Sequence, residues 1–304
     1  MKRRDFLIKG IGGSAAALAF GKYARVLAAP VDDKKAPYQL VAIRGGEPAA
    51  MFDNAIESFG GMSAFVKKGQ RVLVKPNIGW DVGPEQAGNT HPMLVKRVIE
   101  QCYNAGAKEV FVFDHTCDTW SQCYRNSGIE RAVNDAKGKI VSGNSEANYQ
   151  EVANPKGQRL VKAKVHEQLL HADVFINIPV LKHHHSSRVT IGMKNLMGVV
   201  WDRGEWHQDD LHQCIADFSF YRKPDLVIVD AYNVMKQNGP RGVSPADVVQ
   251  MKAQLLSTDP LAADVAGAKL FGVEPSDVRY LTIAASMGLG KLELDPAAIK
   301  RIKL

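Results

Sequence analysis

The sequence predicts an α/β fold: a mainly parallel, Rossmann-like sheet with helices on both faces. Three observations carry that expectation. Near-continuous runs of Val, Ile, Leu and Phe recur along the chain, stretches of helical periodicity stand between them, and several runs end in a polar residue. Unbroken apolar runs suit strands covered on both faces. Strands that alternate with helices bury such runs most simply as a parallel sheet.

Six runs are read as strands: YQLVAIRG (38–45), RVLVKPN (71–77), EVFVFDH (109–115), DVFINIPV (173–180), DLVIVDA (225–231) and VRYLTIA (278–284). Two intervening segments read clearly as helices. Pro92 to Ala105 places apolar residues at helical spacing and stops at Gly106, a residue suited to a helix C-terminus. Pro260 to Phe271 opens behind Asp259, a natural N-cap, and stops at Gly272. The polar stretch from Asn144 to Arg159, with an NPKG turn, reads as an excursion or a β-hairpin.

The first 28 residues are expected to be a signal peptide rather than part of the fold. Arg3 and Arg4 form a twin-arginine pair, followed by Asp5, Phe6, Leu7, Lys9 and a Gly/Ala-rich run from Gly10 to Phe20. This layout resembles a twin-arginine (Tat) export signal, which implies the Tat translocase as a transient partner and a periplasmic destination. The apolar run is short of the roughly 20 residues a membrane span needs, and cleavage is expected after Ala28. Residues 29–304 then form a single α/β domain without an interior boundary, and no stable membrane span is expected after cleavage.

Removing that segment takes away six cations and one acid, so the formal charge falls from +7 to +2. The basic balance belongs mostly to the leader and gives no reason to expect nucleic acid as a partner. Cys102, Cys117, Cys123 and Cys214 include no C-x-x-C pair, so neither a zinc ribbon nor an iron–sulfur cluster is expected. Cys117 and Cys123 could form a local disulfide or remain thiols.

Polar residues end four of the runs: Lys75 and Asn77, Asp114 and His115, Lys182 and its histidines, and Asp230. Ligands of open parallel sheets gather at the carboxyl ends of strands, so these segments are expected to meet in one cleft. The segments VLVKPNIG, GNTHP, IPVLKHHHSSRVTIGMKNLMG, RGEWH, DLVIVDA, NGPRG and STDPLAADVAGAKLFG, in that order, make the chain similar to the domain of unknown function 362 family. Members of that family are at times fused to ferredoxin-like iron–sulfur modules, a redox association that this chain lacks the motif to share. A redox complex stays open as a partner.

Two chemistries fit the polar segments. A divalent transition metal takes three or four N, O or S ligands, imidazole foremost. Adjacent residues of a strand point to opposite sides, so His183, His184 and His185 cannot all face one ion. The family resemblance selects His184, and His207 and His91 are the further candidate ligands. The other chemistry is an anion site, with Lys194, Arg203, Asn77, Asn195 and Asp230 as substrate-binding candidates. Lys182, Lys75 and Asp114 are the candidate catalytic groups, acting by acid–base transfer, or through a lysine amine as nucleophile. There is no G-x-G-x-x-G after the first strand, no Walker A sequence and no G-x-S-x-G elbow. The expectation is an exported enzyme with a metal- or lysine-assisted cleft for a small anionic substrate. The alternative is a periplasmic binding or metal-handling protein without turnover.

Overall fold

In the computed structural model, which describes residues 38–304, the apolar runs assemble into one large sheet. The expected export signal and its cleavage point lie outside the described residues. In chain order the elements are β1 (Leu40–Arg44), α1 (Pro48–Ile56), β2 (Arg71–Pro76), α2 (Pro92–Asn104), β3 (Glu109–Val112), α3 (Trp120–Asn126), α4 (Ile129–Asp135) and β4 (Lys139–Ile140). There follow β5 (Tyr149–Ala153), β6 (Lys162–His166), α5 (Glu167–Leu170), β7 (Val174–Ile178), β8 (Val180–His184), β9 (Arg188–Thr190), α6 (Gly192–Asn195), α7 (Arg203–Gln208) and α8 (Leu211–Tyr221). The chain ends with β10 (Leu226–Met235), β11 (Val248–Ser257), α9 (Pro260–Phe271), α10 (Arg279–Ser286) and β12 (Ile299–Lys303).

The strand order is β12-β1-β11-β10-β7-β2-β3-β4, with β8 paired to β10 beyond the end of β7, and β9 paired to β8. Six pairings are parallel: β12 with β1, β10 with β7 and with β8, β7 with β2, β2 with β3, and β3 with β4. The antiparallel pairings are those of β11 with β1 and β10, and of β8 with β9. The fold is therefore α/β with a mostly parallel sheet, as the alternating pattern predicts. The polar stretch contributes to the separate hairpin of β5 and β6.

The period-two geometry of strands explains why apolar runs lie at the centre. Leu73, Phe175, Val227 and Val229 enter a core with residues of α8, α9 and α10, whereas Val72, Val74, Ile176 and Ile228 enter a second core with residues of α1, α2 and α4. Both faces are covered, so a strand with polar alternation would bury unpaired groups. The helix ends follow their local chemistry. Asp259 accepts from the backbone N–H of Leu261 at 2.9 Å and Ala262 at 3.0 Å, and Gly272 closes α9 at φ +96°.

One expected strand is a helix. VRYLTIA (278–284) lies almost wholly in α10, where Tyr280, Leu281 and Ala284 are buried and Arg279 and Ser286 are exposed. That spacing is helical. Without a second turn of apolar residues to reveal the period, a short run looks like a strand.

The strands β10, β7, β2 and β3 run parallel, and β8 continues alongside β10, so their carboxyl ends share one edge of the sheet. That edge holds the site.

Candidate active site

Lys75 is the penultimate residue of β2, and burial on both faces leaves its side chain fully enclosed at 0% exposure. Its Nζ stands 2.8 Å from Asp114 Oδ1, and donates to Asn195 Oδ1 at 3.0 Å and the Pro76 carbonyl at 2.8 Å. Burial lowers the amine below the ordinary lysine value, and the Asp114 carboxylate works against that shift. Asp114 follows β3 and accepts from the Ile78 N–H at 2.7 Å through its other oxygen. Gly198 lies directly over this pair. A Cβ there would stand 1.7 Å from Asp114 Oδ1 and 2.8 Å from Lys75 Nζ, so this close approach admits only glycine.

Three asparagines tie the strands to α6. Asn77 donates to Asn195 Oδ1 at 2.9 Å, Asn195 donates to Asn177 Oδ1 at 2.8 Å, and Asn177 donates to the Gly192 carbonyl at 2.9 Å. Lys182, in β8 and 1% exposed, donates to Asn77 Oδ1 at 3.2 Å and to the Gly88 carbonyl at 2.5 Å. Desolvation pushes its amine down to about 7.

Lys194 is 8% exposed, and the acceptor facing its Nζ is the Met197 thioether sulfur at 3.0 Å, a weak partner for an ammonium. Burial, helped by Arg203, lowers its amine to about 8. Arg203, at the start of α7, donates to the His115 carbonyl, to the Thr116 carbonyl at 2.6 Å and to Cys117 Sγ at 3.5 Å. Thr190 is buried, and among the described residues its Oγ1 has no hydrogen-bond partner.

These side chains line a cleft of about 460 Å³. It brings together Lys75, Asp114 and Lys182 with Asn77, Lys194, Asn195 and Arg203, and also with His184 and His207. His184 Nδ1 accepts from the Ser186 N–H at 3.2 Å, which leaves the proton of the neutral ring on Nε2. Burial and then Lys194 lower its titration to about 2, so the ring is neutral. His185 also lines the cleft because β8 ends at His184 and the chain turns there, whereas His183 accepts from the Gly239 N–H at 3.0 Å instead.

Asp230 and His91 are not brought to the cleft. Asp230 accepts from the backbone N–H of His91 at 2.7 Å and of Tyr232 at 3.0 Å. The His91 ring caps α2 by accepting from Met93 and packs edge-on against Tyr232 at 5.2 Å. The two residues thus join β10 to α2, which is structural work. The expected trio of His184, His207 and His91 is not assembled. Among the described residues no group of three or more His, Cys, Asp or Glu is arranged to hold a metal ion. The four cysteines are free thiols, with Cys117 in the cleft and Cys123 buried.

Sequence reasoning missed Trp80, Cys117, Thr190 and Pro240 in the lining, and Asn177 behind it. Asn177 carried a signal, a lone amide inside the apolar run VFINI. No helix among the described residues is long and apolar enough to cross a membrane.

A thylakoid-associated protein of Synechocystis sp. is 28% identical over 254 residues, covering 80% of this chain and 76% of that protein. Among solved structures, the lactate racemase apoprotein from Thermoanaerobacterium thermosaccharolyticum is similar with a TM-score of 0.49 at 13% identity, over 80% of this chain and 58% of that one. Residues 72–269, which carry every residue lining the cleft, match the family described as Domain of unknown function (DUF362). The chain belongs to that family.

Proposed function

We propose that the protein is an enzyme whose cleft binds a small anionic substrate and uses lysine amines to move protons. The observation that carries this reading is Lys194, a buried cation whose facing acceptor is a thioether. An ionised group held out of water without a counter-charge costs several kcal/mol. A carboxylate or phosphate entering the cleft would offset that cost, with Arg203 beside it and the unpartnered Thr190 hydroxyl as a further donor. Buried amines near neutrality, at about 7 for Lys182 and about 8 for Lys194, favour turnover over simple retention. A receptor without chemistry gains nothing from amines that lose their charge.

The test is thermal melting in inorganic phosphate against chloride of equal ionic strength. Phosphate at about 100 times its Kd is expected to stabilise the protein by about 2.7 kcal/mol, a rise of several degrees, and Lys194→Met is expected to abolish the rise. An equal rise in both proteins overturns the anion site. One tightly held metal ion per chain, lost in His184→Ala, would instead favour the metal-assisted form.

Export is part of the same proposal, resting on the Arg3-Arg4 pattern and not on the fold. Replacing both arginines with lysine is expected to leave the protein in the cytoplasmic fraction, and unchanged periplasmic recovery would refute it.

A further inference from the structure

Three lysines line the cleft, and their surroundings divide the labour among them. Lys75 donates to Asn195 Oδ1 and the Pro76 carbonyl and is ion-paired with Asp114 at 2.8 Å. The carboxylate favours the protonated amine, and an ammonium has no lone pair for a new bond. Lys194 faces the Met197 sulfur and is the cation best placed for an incoming anion. Lys182 has two acceptors, the Gly88 carbonyl at 2.5 Å and Asn77 Oδ1 at 3.2 Å. A neutral amine spends both of its N–H bonds there, and its lone pair occupies the remaining position.

The geometry points to Lys182 as an imine-forming residue that condenses with the carbonyl carbon of a small anionic oxo compound, of which a 2-oxo acid is the simplest class. The inference rests on the reading of the cleft as an anion site, since Lys194 and Arg203 hold the carboxylate. It adds the electrophile. Thr190 supports it independently: this residue stands directly opposite Lys182 in the β8–β9 register, 3% exposed, with an unpartnered Oγ1. Directly opposed residues hold their Cβ atoms on the same face within about 5.5 Å, and both residues line the cleft, so the hydroxyl is a donor facing the space in which the addition takes place.

The step balances without an oxidant or a co-reactant. The amine nitrogen attacks the carbonyl carbon and an N–C bond forms, while the C=O π pair moves to oxygen. That oxygen takes a proton, and the nitrogen loses one, which gives a carbinolamine. Loss of the hydroxyl with a second proton as water breaks the C–O bond and leaves the C=N bond. The products are one imine and one water. His184, neutral with its proton on Nε2, lines the same cleft as a second donor.

The experiment treats the purified full chain with pyruvate, and separately with acetone as an uncharged counterpart, in the presence of cyanoborohydride. Reduction turns an imine into a secondary amine that survives digestion and is mapped by peptide mass. Pyruvate is expected to leave a single carboxyethyl group, on Lys182, with acetone about tenfold or more less effective. Lys194→Met is expected to bring the pyruvate yield down to the acetone level, and Lys182→Arg to remove the adduct. Adducts spread over surface lysines, or a yield at Lys182 no higher than elsewhere, overturn the proposal on the wild-type protein alone, whatever the variants do. Phosphate-dependent melting of the same preparation separates the two readings. A phosphate shift without a Lys182 adduct overturns the imine and leaves the anion site, and loss of both overturns both.

Discussion

Lys182 is held by its surroundings in the state it would need for chemistry, and that state has a consequence for stability. Its amine titrates at about 7 in the folded protein, against about 10.4 in an unfolded chain. Between these values the unfolded chain holds a proton that the folded chain does not. Stability therefore rises with pH across that window, by about 1.4 kcal/mol per pH unit for this one site. Below pH 7 both states are protonated and the cost of burying the charge is fully present. Lys182→Met is thus expected to be more stable than the wild type at pH 6, with the gap closing as pH rises towards 9. Urea unfolding of the two proteins across that range checks it, and a gap independent of pH would show that another group carries the titration. The residues that make this site were unequally legible. Lys75, Asp114 and Lys182 could be found because each is a charged residue ending an apolar strand. Thr190 could not, because a hydroxyl inside a strand is ordinary until its lack of a partner is seen, and Asn177, a lone amide in an apolar run, showed itself without showing which groups it joins.

Elements meet here at distances that only particular residues allow. The turn carrying Gly198 lies against the carboxyl ends of β2 and β3, and the Gly198 carbonyl accepts from the His115 N–H at 3.0 Å. Gly198→Ala would drive a methyl group into Asp114 and separate it from Lys75. Parting a buried ion pair costs about 3–5 kcal/mol, so this variant is expected to lose that much stability and its phosphate response together. Gly204→Ala in α7 is the control: nothing stands within 4 Å of a Cβ there, and alanine in a helix is about 1 kcal/mol better than glycine. Denaturant melts of both variants decide the matter, and equal stability would mean that α6 and the turn after it yield. The same scale shows where pattern reading stops. β11 went unread because Gln250, Lys252 and Gln254 interrupt its apolar residues. Gln254 is nonetheless buried, donating to the Pro48 carbonyl at 2.8 Å. α10 was read as a strand for the opposite reason, a run too apolar and too short to show its period.

Across the whole molecule, the sheet is assembled from distant parts of the chain. β12 lies beside β1 in parallel, and β1 is flanked on its other side by antiparallel β11. The residues Leu40 to Ile43 of β1 are buried, so removing residues 295–304 would turn an interior strand into an apolar edge, the usual template for aggregation. Such a truncation is expected to lower the melting temperature and to raise light scattering on heating. An unchanged melt would place β12 outside the cooperative unit. The parallel character of the sheet was legible as alternation. The insertion of β11 between β1 and β10 was not, because strand order depends on partners far away in sequence.

The asparagines that cross from β2 to α6 and β7 also have a polarity. From Lys182 through Asn77, Asn195 and Asn177 to the Gly192 carbonyl, each group donates forward and accepts from behind. Such chains strengthen as they lengthen, and one amide cannot turn over alone without setting donor against donor. All of them could invert together only if the last member could donate, and a backbone carbonyl cannot. The row is a one-way wire, earthed at Gly192, whose free end always presents an oxygen to Lys182.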